Sequence, residues 1–175
     1  MEAAHIVLDG LDRIRSILHR ALTGLSLEDA MRQPRPDSNS IAWLVWHLTR
    51  VQDNGISGLF DTPQAWISEG WHAQFGMDPD PDNEGQGHTP EQVAAFRTSS
   101  LQTLLDYHDC VSARSKAFVG SLMPPGFDRE LNEPQYQPLP TVGVRLVSIL
   151  SDNLQHAGQV AYLRGFWQGK GWMRA

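Results

Sequence analysis

The sequence predicts an all-α fold, an antiparallel four-helix bundle with two long connections. Three observations lead to this prediction: four long segments repeat apolar residues every three or four positions, two connections are rich in proline, and no segment shows the sustained alternation of a strand. The chain has 175 residues, of which 41% are hydrophobic. This size and composition favour a single domain over residues 1–175 with its own core.

The first two long helices are predicted from their apolar stripes. The first covers about residues 3–24, and its stripe comprises Val7, Leu11, Ile14, Leu18, Leu22 and Leu25. A short capped turn is expected next, with Ser26 as the cap and Asp29 three residues later. A proline-rich break then separates it from the second helix, predicted over about residues 40–59.

The third and fourth helices carry clearer start signals. Thr89 is a cap, Pro90 takes the first helical position and Gln92 completes a capping box. We expect one helix from this start, because its apolar stripe continues to Leu122. After a second proline-rich break, the fourth helix is predicted over about residues 141–167.

The connection over residues 61–88 is long and irregular, with several glycines, two prolines and a run of acids. Connections of this length in compact domains are usually functional or disordered. Trp66, Trp71 and Phe75 lie within it and argue against disorder. We therefore expect the segment to fold back over the bundle.

Charge and targeting features narrow the function classes. The chain has 14 basic and 20 acidic residues, a net charge of −6. This balance provides no excess of positive charge for binding nucleic acid or an anionic membrane surface. Cys110 is the single cysteine and cannot form an internal disulfide, which fits a reducing compartment. No signal peptide and no apolar run of about 20 residues is present, so a cytoplasmic protein is expected.

Three polar residues interrupt the predicted inner faces of the helices. Asp152 and His156 are four residues apart on the fourth helix, so they share one face. His47 lies mid-way along the second helix, on the same side as Leu44 and Val51. Two imidazoles and a carboxylate can hold a divalent metal and leave coordination positions open. A helical ion pair and a hydrogen-bonded core histidine are the alternative interpretations.

Long motifs resemble the DinB superfamily over nearly the whole chain. They are SNSIAWLVWHLTRVQD, GQGHTPEQV and VGVRLVSILSDNLQHAGQVAYLRG. The resemblance implies a four-helix bundle, often a homodimer, that carries a divalent metal. The family's ligand positions match His47, Asp152 and His156. Many relatives have a histidine where this chain has Asp152, and others, similar to mycothiol-dependent maleylpyruvate isomerases, have an acid.

Other residues are candidates for supporting roles. Gln159 and Asn153 are predicted either to orient a ligand from behind or to join helices through polar contacts. His108 is a candidate for a core position or for the wall of a substrate pocket. Arg145 is a candidate for the same wall, where its charge suits an anionic group, with an exposed surface position as the alternative. His88, in the long connection, is expected at the surface or in a cap.

The resemblance implies a thiol-dependent S-transferase or isomerase that uses a low-molecular-weight thiol such as mycothiol, bacillithiol or glutathione. Its partners would be that thiol and a small-molecule electrophile, with zinc as the first choice of metal and nickel, iron or manganese as alternatives. No catalytic side chain of the protein is required. A hydrolase with a metal-bound water and a non-catalytic stress-response or binding protein with a structural metal site remain as alternatives.

Overall fold

The structure is a computed structural model that describes the backbone of residues 2–174 and the side chains of residues 2–173. Its helices are α1 (Ala3–Leu22), α2 (Leu27–Met31), α3 (Ile41–Phe60), α4 (Ala65–Ser68), α5 (Trp71–Gln74), α6 (Pro90–Ala95), α7 (Leu101–Ser121) and α8 (Val142–Gln168), with 3-10 turns at Pro124–Asp128 and Lys170–Arg174. The predicted all-α bundle is confirmed. None of the described helices is both long and apolar enough to cross a membrane.

Four long helices form the bundle, and α1 and α3 each pack against both α7 and α8. Helices α3 and α8 are antiparallel neighbours. Gln52 bonds to Asn153, while Gly55, further along α3, meets Ile149, further back along α8. Their facing surfaces position the site described below.

Helices α3 and α7 are neighbours that run in the same direction. Asp53 bonds to Tyr107 near the start of α7, and Phe60 stacks on Phe118 near its end, with the ring centroids 5.0 Å apart. Two parallel neighbours need a connection that returns along the length of the bundle. Residues 61–100 supply that connection.

Side-chain caps fix where five of the helices begin. Each capping oxygen accepts a hydrogen bond from the backbone N–H three residues later, which satisfies a donor that the helix itself leaves free. The capping residues are Ser26, Ser40, Thr89, Ser100 and Thr141. The predicted capped turn at Ser26 is therefore the start of α2, and the capping box at Thr89 is confirmed.

The expectation of one continuous third helix is wrong, because residues 96–100 separate α6 from α7. The Arg97 guanidinium donates to the carbonyls of Ala94 and Phe96 at 2.6 and 2.7 Å, which satisfies the end of α6. Phe96 turns into the core, where it is 2% exposed. Ser100 then caps a new helix. The apolar stripe did not reveal this break.

The connection over residues 61–88 folds back over the bundle as expected and contains α4 and α5. Trp66 and Phe75 are buried in the main core cluster. The Asp53 carboxylate accepts hydrogen bonds from the backbone N–H groups of Ala65 and Trp66 at 2.9 and 2.8 Å. A buried acid of α3 thus holds the start of the connection.

Candidate metal centre

The structure brings His47 of α3 together with Asp152 and His156 of α8. One ligand atom from each lies within 4.8 Å of the others. This convergence depends on close approach of the two helices. A side chain on Gly55 would place its Cβ 2.8 Å from Ile149 Cδ1, so glycine at this position allows the contact.

His47 is held in one orientation. Its Nδ1–H donates to the backbone carbonyl of Glu84 at 2.5 Å, and the Trp43 ring stacks on it at a centroid distance of 4.8 Å. Because a carbonyl can only accept, the proton lies on Nδ1 and Nε2 carries a free lone pair. Burial lowers the pKa of His47. The imidazole is therefore neutral near pH 7, the form that binds metals.

His156 is held in the same way by a side chain. Its Nδ1 lies 2.8 Å from Gln159 Oε1, and its Nε2 lies 3.5 Å from Asp152 Oδ1. The amide oxygen accepts from Nδ1–H, which again leaves Nε2 toward the shared space. The hydrogen bond to Asp152 is the largest cause that raises the pKa of His156. The rings of His47 and His156 meet edge to face, 4.8 Å apart.

Asp152 has a buried oxygen that lacks a partner. Within the described residues, Oδ2 is shielded from solvent and makes no hydrogen bond. A buried carboxylate oxygen of this kind is unfavourable unless a cation or a donor compensates it. The Asp152 carboxylate lies beside the imidazoles of His47 and His156, and this donor set of one carboxylate and two imidazoles fits a divalent first-row metal.

A cavity of about 430 Å³ opens onto the triad. Residues 84–88 form one wall of it, across from α3 and α8. Gly85 has a φ of +89°, and a Cβ there would lie 2.7 Å from the rings of both Trp43 and Trp46. The wall can lie this close to α3 because residue 85 has no side chain.

His88 lines the same cavity and is half-buried. The sequence instead predicts a position at the surface or in a cap. Its Nδ1 accepts from Trp43 Nε1–H at 3.3 Å, and its Nε2–H donates to Asn83 Oδ1 at 3.0 Å. Both ring nitrogens are engaged, so His88 serves as a wall of the cavity and not as a fourth ligand.

A second cavity, of about 500 Å³, lies further along the groove between α3 and α8. It shares Val51, Glu84 and Asp152 with the first cavity. Arg145, which the sequence analysis gave as a candidate for a pocket wall, lines this second cavity. Its Nε–H donates to Glu133 Oε1 at 2.9 Å, and its Nη2 also bonds to Glu133. The two cavities meet at the candidate metal centre.

Asn153 and His108 lie away from the triad. The Asn153 amide donates to Gln52 at 2.7 Å, and Gln52 donates to Ser115 at 2.8 Å, so Asn153 joins α8 to α3 and α7 inside the core. His108 is 1% exposed and lines neither of the two cavities. Burial lowers its pKa to about 4. Asn153 thus lies in a polar contact between helices, one of its two predicted roles, and His108 lies in the core, one of its two predicted positions.

Sequence reasoning missed Glu84, whose backbone carbonyl fixes His47. Every residue type has the same backbone carbonyl, so no sequence motif identifies this contact. The available signal was the pair of glycines at 85 and 87, just before His88. Glycine is common where the backbone approaches another element closely.

The fold and the site define a helical-bundle protein with a candidate metal centre between two antiparallel helices. A family described as mycothiol-S-transferase matches residues 7–169. The chain belongs to this family, and the predicted resemblance to the DinB superfamily is confirmed.

A crystal structure described as the conserved protein of locus from Enterococcus faecalis has a similar fold. It is 29% identical in sequence, with a TM-score of 0.88, and the match covers 97% of this chain and 99% of that one. No curated protein matches the chain.

Proposed function

We propose that this protein is a divalent-metal-dependent S-transferase that joins a low-molecular-weight thiol to an electrophilic small molecule. One observation carries the proposal. Two imidazoles, each with Nδ1 bonded to an oxygen, converge with Asp152 so that one ligand atom of each residue lies within 4.8 Å of the others, and Asp152 has a buried oxygen without a partner in the described residues. Membership of the mycothiol-S-transferase family supports the thiol as one substrate.

A divalent cation bound at this site would lower the pKa of a thiol, so that its sulfur could react as a thiolate at neutral pH. His47, Asp152 and His156 would hold the cation, with zinc as the first choice. In the transfer, the sulfur bonds to an electrophilic carbon, the thiol proton passes to water, and the leaving group departs with the electrons of the broken bond. The protein's residues bind and orient both substrates.

The chain's own cysteine is poorly suited to act as the nucleophile. The Cys110 thiol donates to Glu69 Oε2 at 3.1 Å, and burial raises its pKa to about 11. A thiol with this pKa is almost fully protonated near neutral pH and reacts slowly. A second substrate that brings its own thiol fits the site better.

The cavity beside Arg145 is the proposed position of the substrate portion that extends beyond the reacting atoms. Its walls combine polar groups with the apolar side chains of Leu131 and Ile149. The Arg145 guanidinium is held by Glu133 and lies 5.0 Å from the ring centroid of Tyr136. A charged group fixed in this way orients a polar substrate at little cost in conformational entropy.

The test compares wild type with His156→Ala, both purified without an affinity tag or added metal. Metal content and transfer of mycothiol, bacillithiol or glutathione to a bimane halide are measured. We expect about one divalent metal per wild-type chain, strongly reduced metal in His156→Ala, and thiol transfer only by the metal-loaded protein. Equally low metal in both proteins would refute the metal site.

The same assay separates the alternatives. A hydrolase would turn over its ester or amide substrate unchanged after low-molecular-weight thiol is removed. A structural site would need a fourth ligand from the protein, whereas the cluster found among the described residues has three.

A further inference from the structure

Arg50 is a fully buried arginine that lies one helical turn after His47 on α3. A buried guanidinium is unfavourable unless its donors are satisfied. Its partners are therefore informative about its role. We propose that Arg50 is a positioning residue for the metal centre, which sets the orientation of His47 through the loop of residues 80–84.

Most of the hydrogen bonds of Arg50 go to this loop. Its Nε–H donates to the carbonyl of Asn83 at 3.0 Å, and Nη2 donates to the carbonyls of Pro81 and Asp80 at 2.9 and 3.4 Å. The next carbonyl after Asn83 belongs to Glu84 and accepts from His47. The arginine thus fixes the loop immediately before the contact that determines which nitrogen of His47 is free.

The rest of the Arg50 environment holds the guanidinium plane itself. Nη1 donates to Gln64 Oε1 at 2.9 Å, and the guanidinium lies over the Trp66 ring, 4.6 Å from its centroid. The planar fork of arginine reaches acceptors in several directions at once, which the single ammonium group of lysine does not do. A lysine at residue 50 would keep the charge and lose the geometry.

Arg50 also forms a buried ion pair with Asp53. Asp53 Oδ2 lies 3.7 Å from Arg50 Nη1, but its oxygens also accept from two backbone N–H groups and from the Tyr107 hydroxyl at 3.0 Å. The ion pair with Asp53 therefore accounts for the charge of Arg50 but not for its geometry. Nε and Nη2 donate to the loop carbonyls, which a lysine that kept the charge would not reach in the same way.

This inference rests on the proposed metal site, so its test includes a measurement on metal-free protein. The variant is Arg50→Lys, and the matched control is Arg164→Lys. Arg164 is also buried and donates to a backbone carbonyl, that of Thr23 at 3.0 Å, but it lies well away from the triad on α8. Stability, the His47 tautomer by nitrogen-15 NMR at pH 8, and zinc affinity by competition with a chelator are measured for each.

We expect wild type and Arg164→Lys to show a single Nδ1–H tautomer of His47 and equal zinc affinity. Arg50→Lys should show a mixture of tautomers and zinc affinity lower by about tenfold or more, the effect of losing a group that orients a ligand. A purely structural arginine would lower stability in both variants and leave the His47 tautomer unchanged. That result would overturn the proposal.

Failure of the metal site is distinguishable from failure of this inference. If wild type binds no zinc, the proposed function fails, while the tautomer comparison still decides the role of Arg50. If Arg50→Lys does not fold, Gln64→Leu removes one acceptor that holds the guanidinium and should shift the tautomer in the same direction. An unchanged tautomer in a folded Gln64→Leu protein would count against the proposal.

Discussion

Each histidine of the triad has an oxygen acceptor on its Nδ1, but the two acceptors differ in kind. For His47 the acceptor is the backbone carbonyl of the half-buried Glu84, and for His156 it is the exposed side chain of Gln159. Both contacts place the proton on Nδ1 and make the other nitrogen the better ligand. Only the second can be removed by a single substitution without changing the backbone.

Gln159→Leu should therefore weaken metal binding while the fold is kept. We expect zinc affinity to fall about tenfold, the lower end of what such partners contribute, because Gln159 is exposed. Chelator competition measures it. Gln155→Leu is the control, since Gln155 is an exposed glutamine one turn earlier that bonds only to Ser151 among the described residues. Equal affinities of the two variants would contradict the assignment.

At the scale of the elements, the segment of residues 80–88 lies along α3 over about two helical turns, from Trp43 to Arg50. Arg50 contacts the start of the segment, His47 contacts Glu84, and Trp43 contacts Gly85 and His88. The segment has no regular secondary structure, so contacts with side chains of α3 determine its position. A substitution that moves this segment should also change the orientation of His47 at the candidate metal centre.

Gly85→Ala tests this dependence. The positive φ strains any residue with a Cβ, and the added carbon meets two tryptophan rings at 2.7 Å. We expect a loss of about 2–4 kcal/mol in the free energy of unfolding, together with weaker zinc binding. Urea unfolding and chelator competition measure the two effects.

Gly87→Ala is the matched control for Gly85→Ala. Its φ of +79° is also positive, but nothing lies within 4 Å of the added carbon. The expected loss is about 1 kcal/mol, with zinc affinity unchanged. If both alanine variants behave alike, the contact with the tryptophans is not what holds the segment.

At the scale of the whole molecule, the sequence was sufficient to predict what depends on periodicity and capping. The long helices and the capping box at Thr89 follow from local rules, and so does the shared face of Asp152 and His156. The carbonyl of Glu84 could not be predicted in this way, because its contact with His47 joins residues far apart in the chain. The break before α7 was missed because the apolar stripe continues through it, although Ser100 provides a local cap. The homodimer that the family resemblance implied stays a prediction.

The core also contains a histidine whose charge bears on global stability. His108 is fully buried, and within the described residues neither ring nitrogen has a hydrogen-bond partner. Burial lowers its pKa from 6.5 to about 4. In the unfolded chain His108 binds a proton as the pH falls through 6.5, whereas in the folded protein it stays neutral until about pH 4. Stability is therefore lost as the pH falls through this interval.

His108→Leu should remove this part of the pH dependence. The pKa difference corresponds to about 3 kcal/mol lost by wild type between pH 7 and pH 4. Urea unfolding in the presence of a chelator, at pH 7 and pH 4.5, gives the change for each protein. His5→Leu, at an exposed histidine, is the control and should follow wild type. Identical pH slopes for wild type and His108→Leu would disprove the assignment.

The peptide oxygen that fixes His47 has a consequence for comparisons among relatives. Since every residue type supplies the same carbonyl, the contact with His47 does not by itself require a particular side chain at position 84, where the present glutamate accepts from Asn54. A conservation profile at position 84 would therefore not reveal the carbonyl contact. Relatives that keep this arrangement should instead retain a glycine at position 85 together with an arginine at position 50.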